Sequence, residues 1–161
     1  MKKNFILLMI VALCFNVSFA FAIKPYSANP FYWQYKGEPL LLVGGSDTDH
    51  LFLWPDLLSH LNDIQSFGGN YVRNTMSDRN TPDVKPYIKT SGKYDLNQWN
   101  STYWNKFRDL LNWTRDRDVI IQIEVWDRFD YSQDAWTGSP WRPANNINYS
   151  GSESGFADSY P

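Results

Sequence analysis

The chain has 161 residues and a formal net charge of −2, with 43% hydrophobic and 20% charged residues. This composition excludes a largely disordered chain, and the acidic balance excludes a basic surface for nucleic acid or anionic lipid. The length predicts one domain, and the 8 Trp, 10 Tyr and 10 Phe suit either an aromatic core or rings that stack on sugars.

The first 22 residues have the pattern of a secretory signal peptide. Lys2 and Lys3 give a basic start, residues 5–15 are almost wholly apolar, and residues 20–22 form a small-x-small cleavage site. The apolar run is shorter than the roughly 20 residues that a membrane-spanning helix needs. We therefore expect cleavage and a secreted or periplasmic protein without a membrane partner. The single cysteine, Cys14, lies in this leader, so the mature chain would contain no disulfide or thiolate metal site.

The mature chain begins with two strand-like runs that predict a β-hairpin. Residues 31–35 and Leu40–Val43 flank residues 36–39, whose Gly and Pro signal a turn. The second run is apolar at every position, which suits a strand covered on both faces in a parallel sheet. It ends at Gly44, and an acidic loop over residues 46–50 follows.

Two amphipathic helices and two further strands come next. Apolar residues at helical spacing predict a helix over residues 55–67, and residues 70–75 predict a short strand. A second helix begins with a cap at Asn100 or Ser101, and residues 119–126 form the clearest strand pattern. The order strand, helix, strand, helix, strand implies a parallel sheet with right-handed crossovers.

Two long polar segments show no such pattern. The connection from Ser77 to Asn97 contains prolines and is long enough to be functional or mobile. Residues 132–161 are rich in Ser, Gly, Asn and Pro and lack helical or strand periodicity. Both segments are predicted to be loops.

Alternation along the third strand concentrates polar groups at one end of the sheet. Residues 119, 121, 123 and 125 are all apolar, whereas the opposite face carries Gln122, Glu124 and Trp126 toward the carboxyl end, with Asp127 just beyond. Arg73 falls at the equivalent end of the second strand. A barrel interior fits this gradient, because the lumen at the carboxyl ends of the strands is the active site of (β/α)₈ barrels.

The acidic loop adds Asp47, Asp49 and His50 at the same height after the first strand. The polar residues that follow three strands therefore predict a ligand site at this edge of the sheet. Open doubly wound sheets also bind ligands at the carboxyl edge, so a barrel and an open sheet both remain as alternatives for the fold. Asp47, Asp49 and His50 could in principle bind a divalent cation, but no partner ligand motif accompanies them, and we predict no metal site.

Several segments in order resemble a known family. Residues 68–73, Gly-Gly-Asn-Tyr-Val-Arg, look like the second strand of cellulase-like (β/α)₈ glycoside hydrolases. Residues 31–52, 124–130 and 141–149 are together similar to a group of exported bacterial proteins predicted to contain glycosidase barrels. The resemblance implies a carbohydrate substrate, hydrolysis by two carboxylates without a cofactor, and an Arg73 that supports the nucleophile.

The resemblance also implies that the chain is incomplete. A whole barrel needs roughly 250 residues, and this chain supplies three of the eight strands. In the family the acid/base glutamate follows the fourth strand and the nucleophile the seventh. We therefore expect residues 23–161 to be the amino-terminal part of a truncated α/β protein, a partial (β/α)₈ barrel preceded by a β-hairpin. It would be inactive alone and would lack its carboxyl-terminal barrel segment as a partner.

The candidate residues have more than one interpretation. We expect Asp47, Asp49, His50, Arg73, Glu124, Trp126 and Asp127 to form sugar subsites. Arg73 could instead form a structural ion pair with Glu124. Glu124 and Asp127 are catalytic candidates only in principle, because a carboxylate pair needs a separation of about 5–5.5 Å or ~6.5–9.5 Å and the resemblance places catalysis on the missing strands.

Other function classes are excluded or stay as rivals. No Gly-x-Ser-x-Gly, phosphate-binding loop, His-Glu-x-x-His or dinucleotide fingerprint occurs, which argues against serine hydrolases, nucleotide hydrolases, metalloproteases and nicotinamide enzymes. A non-catalytic carbohydrate-binding or surface-associated protein is the rival from another class. A compact α/β protein without a sugar function is the third possibility.

Overall fold

The computed structural model of the protein describes residues 22–77, 84–132 and 134–159. These residues belong to two units, one ending at Leu41 and the other beginning at Leu42. The predicted signal peptide lies, apart from Ala22, outside the described residues. No helix within the described ranges has the length and apolar character that crossing a membrane requires.

The first unit contains a small antiparallel sheet of three strands, β1 (Lys24–Pro25), β2 (Trp33–Tyr35) and β3 (Glu38–Leu40). Strands β2 and β3 form a hairpin where the sequence predicts one. Lys36 and Gly37 both have positive φ, 51° and 90°, as the two central residues of a tight hairpin turn require.

The parallel strand predicted at Leu40–Val43 is not formed as expected. Leu40 ends β3, residues 41–43 lie outside any strand, and the parallel pairing with Tyr71 is reduced to a single bridge at Gly44. The backbone of Val43 is satisfied by Asn70, whose side-chain Oδ1 and backbone N–H both bond to it at 2.8 Å. Val43 is half-exposed, so this segment does not have the two-sided cover that its apolar sequence predicts.

The second unit is built around a parallel pair of strands, β4 (Tyr71–Thr75) and β7 (Ile120–Glu124). In their register Arg73 lies opposite Gln122 and Thr75 opposite Glu124. Helix α1 (Leu57–Ser66) begins and ends within two residues of its predicted bounds, and α2 (Ser101–Arg115) begins directly after the predicted cap at Asn100. Their apolar stripes enclose a core with the 3₁₀ helix at Leu51–Leu53, and its buried members are Leu51, Phe52, Leu53, Leu57, Leu61, Val72, Tyr103, Leu110 and Val119.

The connection predicted to be a loop between Ser77 and Asn97 contains an antiparallel hairpin. Its strands are β5 (Tyr87–Thr90) and β6 (Lys93–Trp99), joined by Ser91 and Gly92, both at positive φ. The prediction of a loop is therefore wrong over these residues. A Ser-Gly pair between two runs with aromatic and β-branched residues is a hairpin signal, and it identifies the turn.

The segment after β7 forms single helical turns separated by loops, α3 (Arg128–Tyr131), α4 (Ala135–Gly138) and α5 (Gly151–Ser154), with a 3₁₀ turn at Pro143–Asn145. A capping box between Ser150 and Glu153 begins α5, and Gly155 at φ 76° ends it. Helices this short have no periodicity to read, which explains why the sequence predicts only loop here. The partial (β/α)₈ barrel stays a prediction, since the described parallel sheet is limited to β4, β7 and the Gly44 bridge.

Replacing Asn100 should weaken α2 measurably. Its Oδ1 accepts a hydrogen bond from the Thr102 N–H at 3.1 Å, and its Nδ2 donates to the Lys85 carbonyl at 2.9 Å. We expect Asn100→Ala to lower the free energy of unfolding by about 1 kcal/mol in urea denaturation. The matched control is Asn105→Ala on the exposed face of α2, which should change it by less than about 0.5 kcal/mol. Equal losses in the two variants would contradict the capping role.

Candidate functional site

Arg73, the central residue of β4, lies between two carboxylates. Its Nη2 is 3.4 Å from Asp49 Oδ1, and its Nη1 is 3.5 Å from Glu124 Oε1. The sheet explains the meeting with Glu124, because residues of the same parity on two paired strands project to the same face. The Arg73 side chain is 46% exposed, so a ligand can reach this charged group.

The acidic loop after Gly44 is attached to β4 by hydrogen bonds to the backbone of that strand. Ser46 Oγ donates to the Arg73 carbonyl at 2.6 Å and accepts from the Arg73 N–H at 3.0 Å. The Thr75 N–H donates to the Asp49 carbonyl at 2.7 Å. These bonds hold the Asp49 carboxylate beside the Arg73 guanidinium.

Glu124 is held by a short network of donors. Thr75 Oγ1 donates to Oε2 at 2.8 Å, and Gln122 Nε2 donates to Oε1 at 3.2 Å. The Tyr71 hydroxyl donates in turn to Gln122 Oε1 at 2.6 Å. The carboxylate is therefore fixed in orientation, with Arg73 beside it.

These groups form part of an open cavity of about 440 Å³. Its lining residues are Asp49, Arg73, Thr75, Glu124, Trp126, Asp127, Arg128, Phe129 and Ser132. The cavity thus combines a charged floor, made by β4, β7 and the acidic loop, with aromatic side chains that follow β7. Such a combination can bind a polar molecule that also presents an apolar face.

Trp126 has the geometry of a stacking platform. Its indole lies against the Tyr131 ring at a centroid distance of 4.1 Å and an interplanar angle of 29°, and 48% of the residue is exposed. Tyr131 is itself buried, and Trp136 packs against it edge-on at 5.7 Å. The indole is thus supported from behind and accessible from solvent.

Asp127 lines the cavity while also capping a helix. Its Oδ1 accepts a hydrogen bond from the Asp130 N–H at 3.1 Å, which makes it the N-cap of α3, and the residue is 6% exposed. One carboxylate oxygen therefore serves the local fold. The proposed catalytic pairing of Asp127 with Glu124 stays a prediction.

Two of the predicted site residues do not line this cavity. His50 is buried in the core, where its Nδ1 donates to the Ser77 carbonyl and its ring packs edge-on against Phe52 at 4.2 Å. Burial lowers the pKa of His50 from 6.5 to about 4. Asp47 is largely exposed and lies 3.8 Å from Nδ1 of His60. The structure therefore brings five of the seven predicted residues together, namely Asp49, Arg73, Glu124, Trp126 and Asp127.

Sequence reasoning missed four of the lining residues. Thr75 shares the parity of Arg73 on β4, so the alternation argument applied to Glu124 would also have found it. Arg128, Phe129 and Ser132 follow β7 on or next to a single helical turn that has no sequence signature. No cluster of three or more His, Cys, Asp or Glu suited to a metal ion occurs within the described ranges.

Comparison with known proteins gives one structural match and no sequence match. No protein-family model matches it, and no curated protein matches it by sequence. A β-mannanase from the blue mussel Mytilus edulis matches at a TM-score of 0.38 and 20% identity, over 65% of this chain and 31% of that one. The chain thus spans about a third of the length of that mannanase.

Proposed function

We propose that residues 23–161 form the amino-terminal part of an exported (β/α)₈ glycoside hydrolase, and that the carboxylate cavity is part of its saccharide-binding site. The observation that carries the proposal is the ion-pair cluster in which Arg73 of β4 lies between Asp49 and Glu124, the last residue of β7. The partly exposed Trp126 lines the same cavity. Strand ends of this kind are where (β/α)₈ enzymes bind substrate.

The chemistry of the cavity matches a carbohydrate in two ways. Sugar hydroxyls both donate and accept hydrogen bonds, and the cavity offers a guanidinium donor in Arg73 with carboxylate acceptors in Asp49 and Glu124. A pyranose ring also has an apolar face of C–H groups, which can lie flat on the supported indole of Trp126.

The complete enzyme would hydrolyse a glycosidic bond with two carboxylates and no cofactor. In that reaction Arg73 would orient the nucleophile, and Asp49, Glu124 and Trp126 would hold the sugar. The acid/base residue and the nucleophile of the proposed hydrolase would lie on later strands that residues 23–161 do not include, so we expect these residues to bind saccharide without cleaving it. We place the protein outside the cytoplasm, secreted or periplasmic, on the basis of the leader sequence.

A non-catalytic carbohydrate-binding protein is the second candidate. The fixed platform of Trp126 on Tyr131 favours it, because ring stacking supports binding whether or not a reaction follows. The two candidates differ in whether a longer product of the same host cleaves the saccharide that this chain binds.

The Arg73→Ala variant tests the proposed site. Among gluco-, manno- and xylo-oligosaccharides titrated by calorimetry, we expect at least one to bind, and Arg73→Ala to weaken that binding at least tenfold, because the site would lose its only lining group that contacts both Asp49 and Glu124 in the described structure. The matched control is Arg115→Ala, an exposed arginine paired with Asp116 on α2, which should bind within about twofold of the wild type.

Two results would count against the proposal. Unchanged saccharide binding by the Arg73→Ala variant would remove the central role of Arg73. Release of reducing sugar by this chain alone would contradict the expectation that both catalytic carboxylates lie outside residues 23–161. Glu124 and Asp127 would then be the candidate catalytic pair.

A further inference from the structure

A second cavity, of about 210 Å³, is walled by aromatic side chains from three parts of the second unit. The hairpin β5–β6 contributes Tyr87 and Trp99, helix α2 contributes Tyr103 and Trp104, and the segment after β7 contributes Tyr131 and Trp141. None of these aromatic residues lines the carboxylate cavity.

The rings hold one another in fixed positions. Trp99 lies 4.6 Å from Trp104 and 6.1 Å from Tyr87, and Tyr87 meets Trp141 edge-on at 5.8 Å and 88°. Trp99 is 62% exposed, so it forms the rim of the cavity and leaves the entrance open to solvent. A site of this kind is formed before any ligand arrives.

The walls favour a flat apolar group over a sugar ring. The indole N–H of Trp104 already donates to the Pro86 carbonyl at 2.9 Å, and Met76 and Val125 complete the lining. The walls are mainly apolar, and the hydrogen-bonding groups of the tyrosines Tyr87, Tyr103 and Tyr131 are fewer than the hydroxyls of a sugar ring, whereas an aromatic ring needs no partner. The size is also suitable, since an apolar protein cavity of about 150 Å³ holds benzene.

One pair of stacked rings contributes to the walls of both cavities. Trp126 lines the carboxylate cavity, Tyr131 lines the aromatic cavity, and their centroids are 4.1 Å apart. Val125, which lines the aromatic cavity, directly precedes Trp126 in the chain. The two linings share no residue, but they come within one ring stack of each other. A saccharide in the first cavity would reach the second through a substituent that passes the edge of the stacked pair.

We propose that the aromatic cavity binds an aromatic ring attached to the saccharide, as in an aryl glycoside or an aromatic ester of a sugar. The attachment to a sugar rests on the proposed function, whereas the binding of the ring does not. The cavity makes the protein selective for aryl-substituted carbohydrate over the plain glycan.

The binding of the ring is tested with phenol and cyclohexanol by saturation-transfer NMR titration of the protein. We expect phenol to bind at least fivefold more tightly than cyclohexanol, because only the flat ring can pack edge-on and face-on against the walls. Trp99→Ala and Trp99→Leu should each weaken phenol binding at least fivefold. The control Trp33→Ala, a similarly exposed tryptophan of β2, should leave phenol binding within twofold. Equal binding of the two probes, or no effect at Trp99, would overturn the proposal.

The attachment to a sugar is tested with phenyl and methyl β-D-glucopyranoside. We expect the phenyl glycoside to bind at least tenfold more tightly, with the difference lost in Trp99→Leu and retained in Trp33→Ala. Equal binding of the two glycosides would overturn the attachment while leaving the proposed function standing. If neither glycoside binds better than phenol, the saccharide site fails, and the phenol titration still decides whether the cavity binds an aromatic ring.

Discussion

Gly44→Ala is expected to lower the free energy of unfolding by about 3 kcal/mol, the upper range for forcing an extra methyl group into a packed site. A Cβ at this position would lie 1.9 Å from the Tyr71 carbonyl oxygen and 2.9 Å from its carbon. Both atoms belong to the backbone of β4, so neither can rotate away. Relief of the clash requires the Gly44–Tyr71 bridge to open.

The neighbouring glycine provides the control for this experiment. A Cβ at Gly45 meets nothing within 4 Å, so Gly45→Ala should change the free energy of unfolding in urea by less than about 0.5 kcal/mol. Gly44→Ala should also weaken any ligand binding that depends on Asp49, because the acidic loop begins directly after Gly44. Equal denaturation midpoints for the two alanine variants would contradict this prediction. They would mean that the β4 backbone at Tyr71 moves to accommodate the added methyl group at little cost in stability.

Period-2 alternation was sufficient to predict the centre of the site. Arg73 alternates with Val72 on β4, and Glu124 alternates with Ile123 on β7, so parity alone places each charged residue on the face opposite an apolar neighbour. The alternation could not supply the register, and therefore could not show that Thr75 lies opposite Glu124 or that Gln122 lies opposite Arg73. Those pairings depend on packing across the whole second unit.

His50 shows where the same argument fails. It follows Asp47 and Asp49 in a polar loop, so it was predicted to join them, but the chain turns into the 3₁₀ helix at Leu51–Leu53 and carries His50 into the core. A run of three large apolar residues directly after a histidine indicates burial, and that signal outweighs proximity to the acidic residues. The missed hairpin β5–β6 is a similar case, since the Ser91-Gly92 turn was present in the sequence.

The stability of the protein should depend strongly on the protonation of His50 between pH 7 and pH 4. Burial removes the imidazole from water and is the main reason that its pKa falls from 6.5 to about 4; the bond to Ser77 opposes this effect, and the charge of Lys85 adds to it. Because the Nδ1 proton is donated to the Ser77 carbonyl, an added proton would go to Nε2, a buried atom with no hydrogen-bond partner in the described part of the chain.

The sign of the dependence follows from which state binds the proton. In the unfolded chain His50 titrates near its ordinary pKa of about 6.5, so between pH 6.5 and pH 4 the unfolded state is protonated at this site and the folded state is not. Stability from this residue is therefore full above about pH 7 and is lost as the pH falls. The expected loss from pH 7 to pH 4 is about 3 kcal/mol.

His50→Asn provides the decisive comparison, because an asparagine amide can still donate to the Ser77 carbonyl but does not titrate. In urea denaturation at pH 7 and pH 4, we expect the wild type to lose about 3 kcal/mol more than this variant. The control is His60→Asn, which removes a histidine that lies beside the exposed Asp47 and should leave the wild-type dependence within about 1 kcal/mol. Carboxyl groups that titrate near pH 4 are common to all three proteins, so they do not affect the difference. Parallel pH profiles for wild type and His50→Asn would mean that the folded protein admits a proton at His50 without penalty, through water or a local opening of the core at Phe52 and Tyr103.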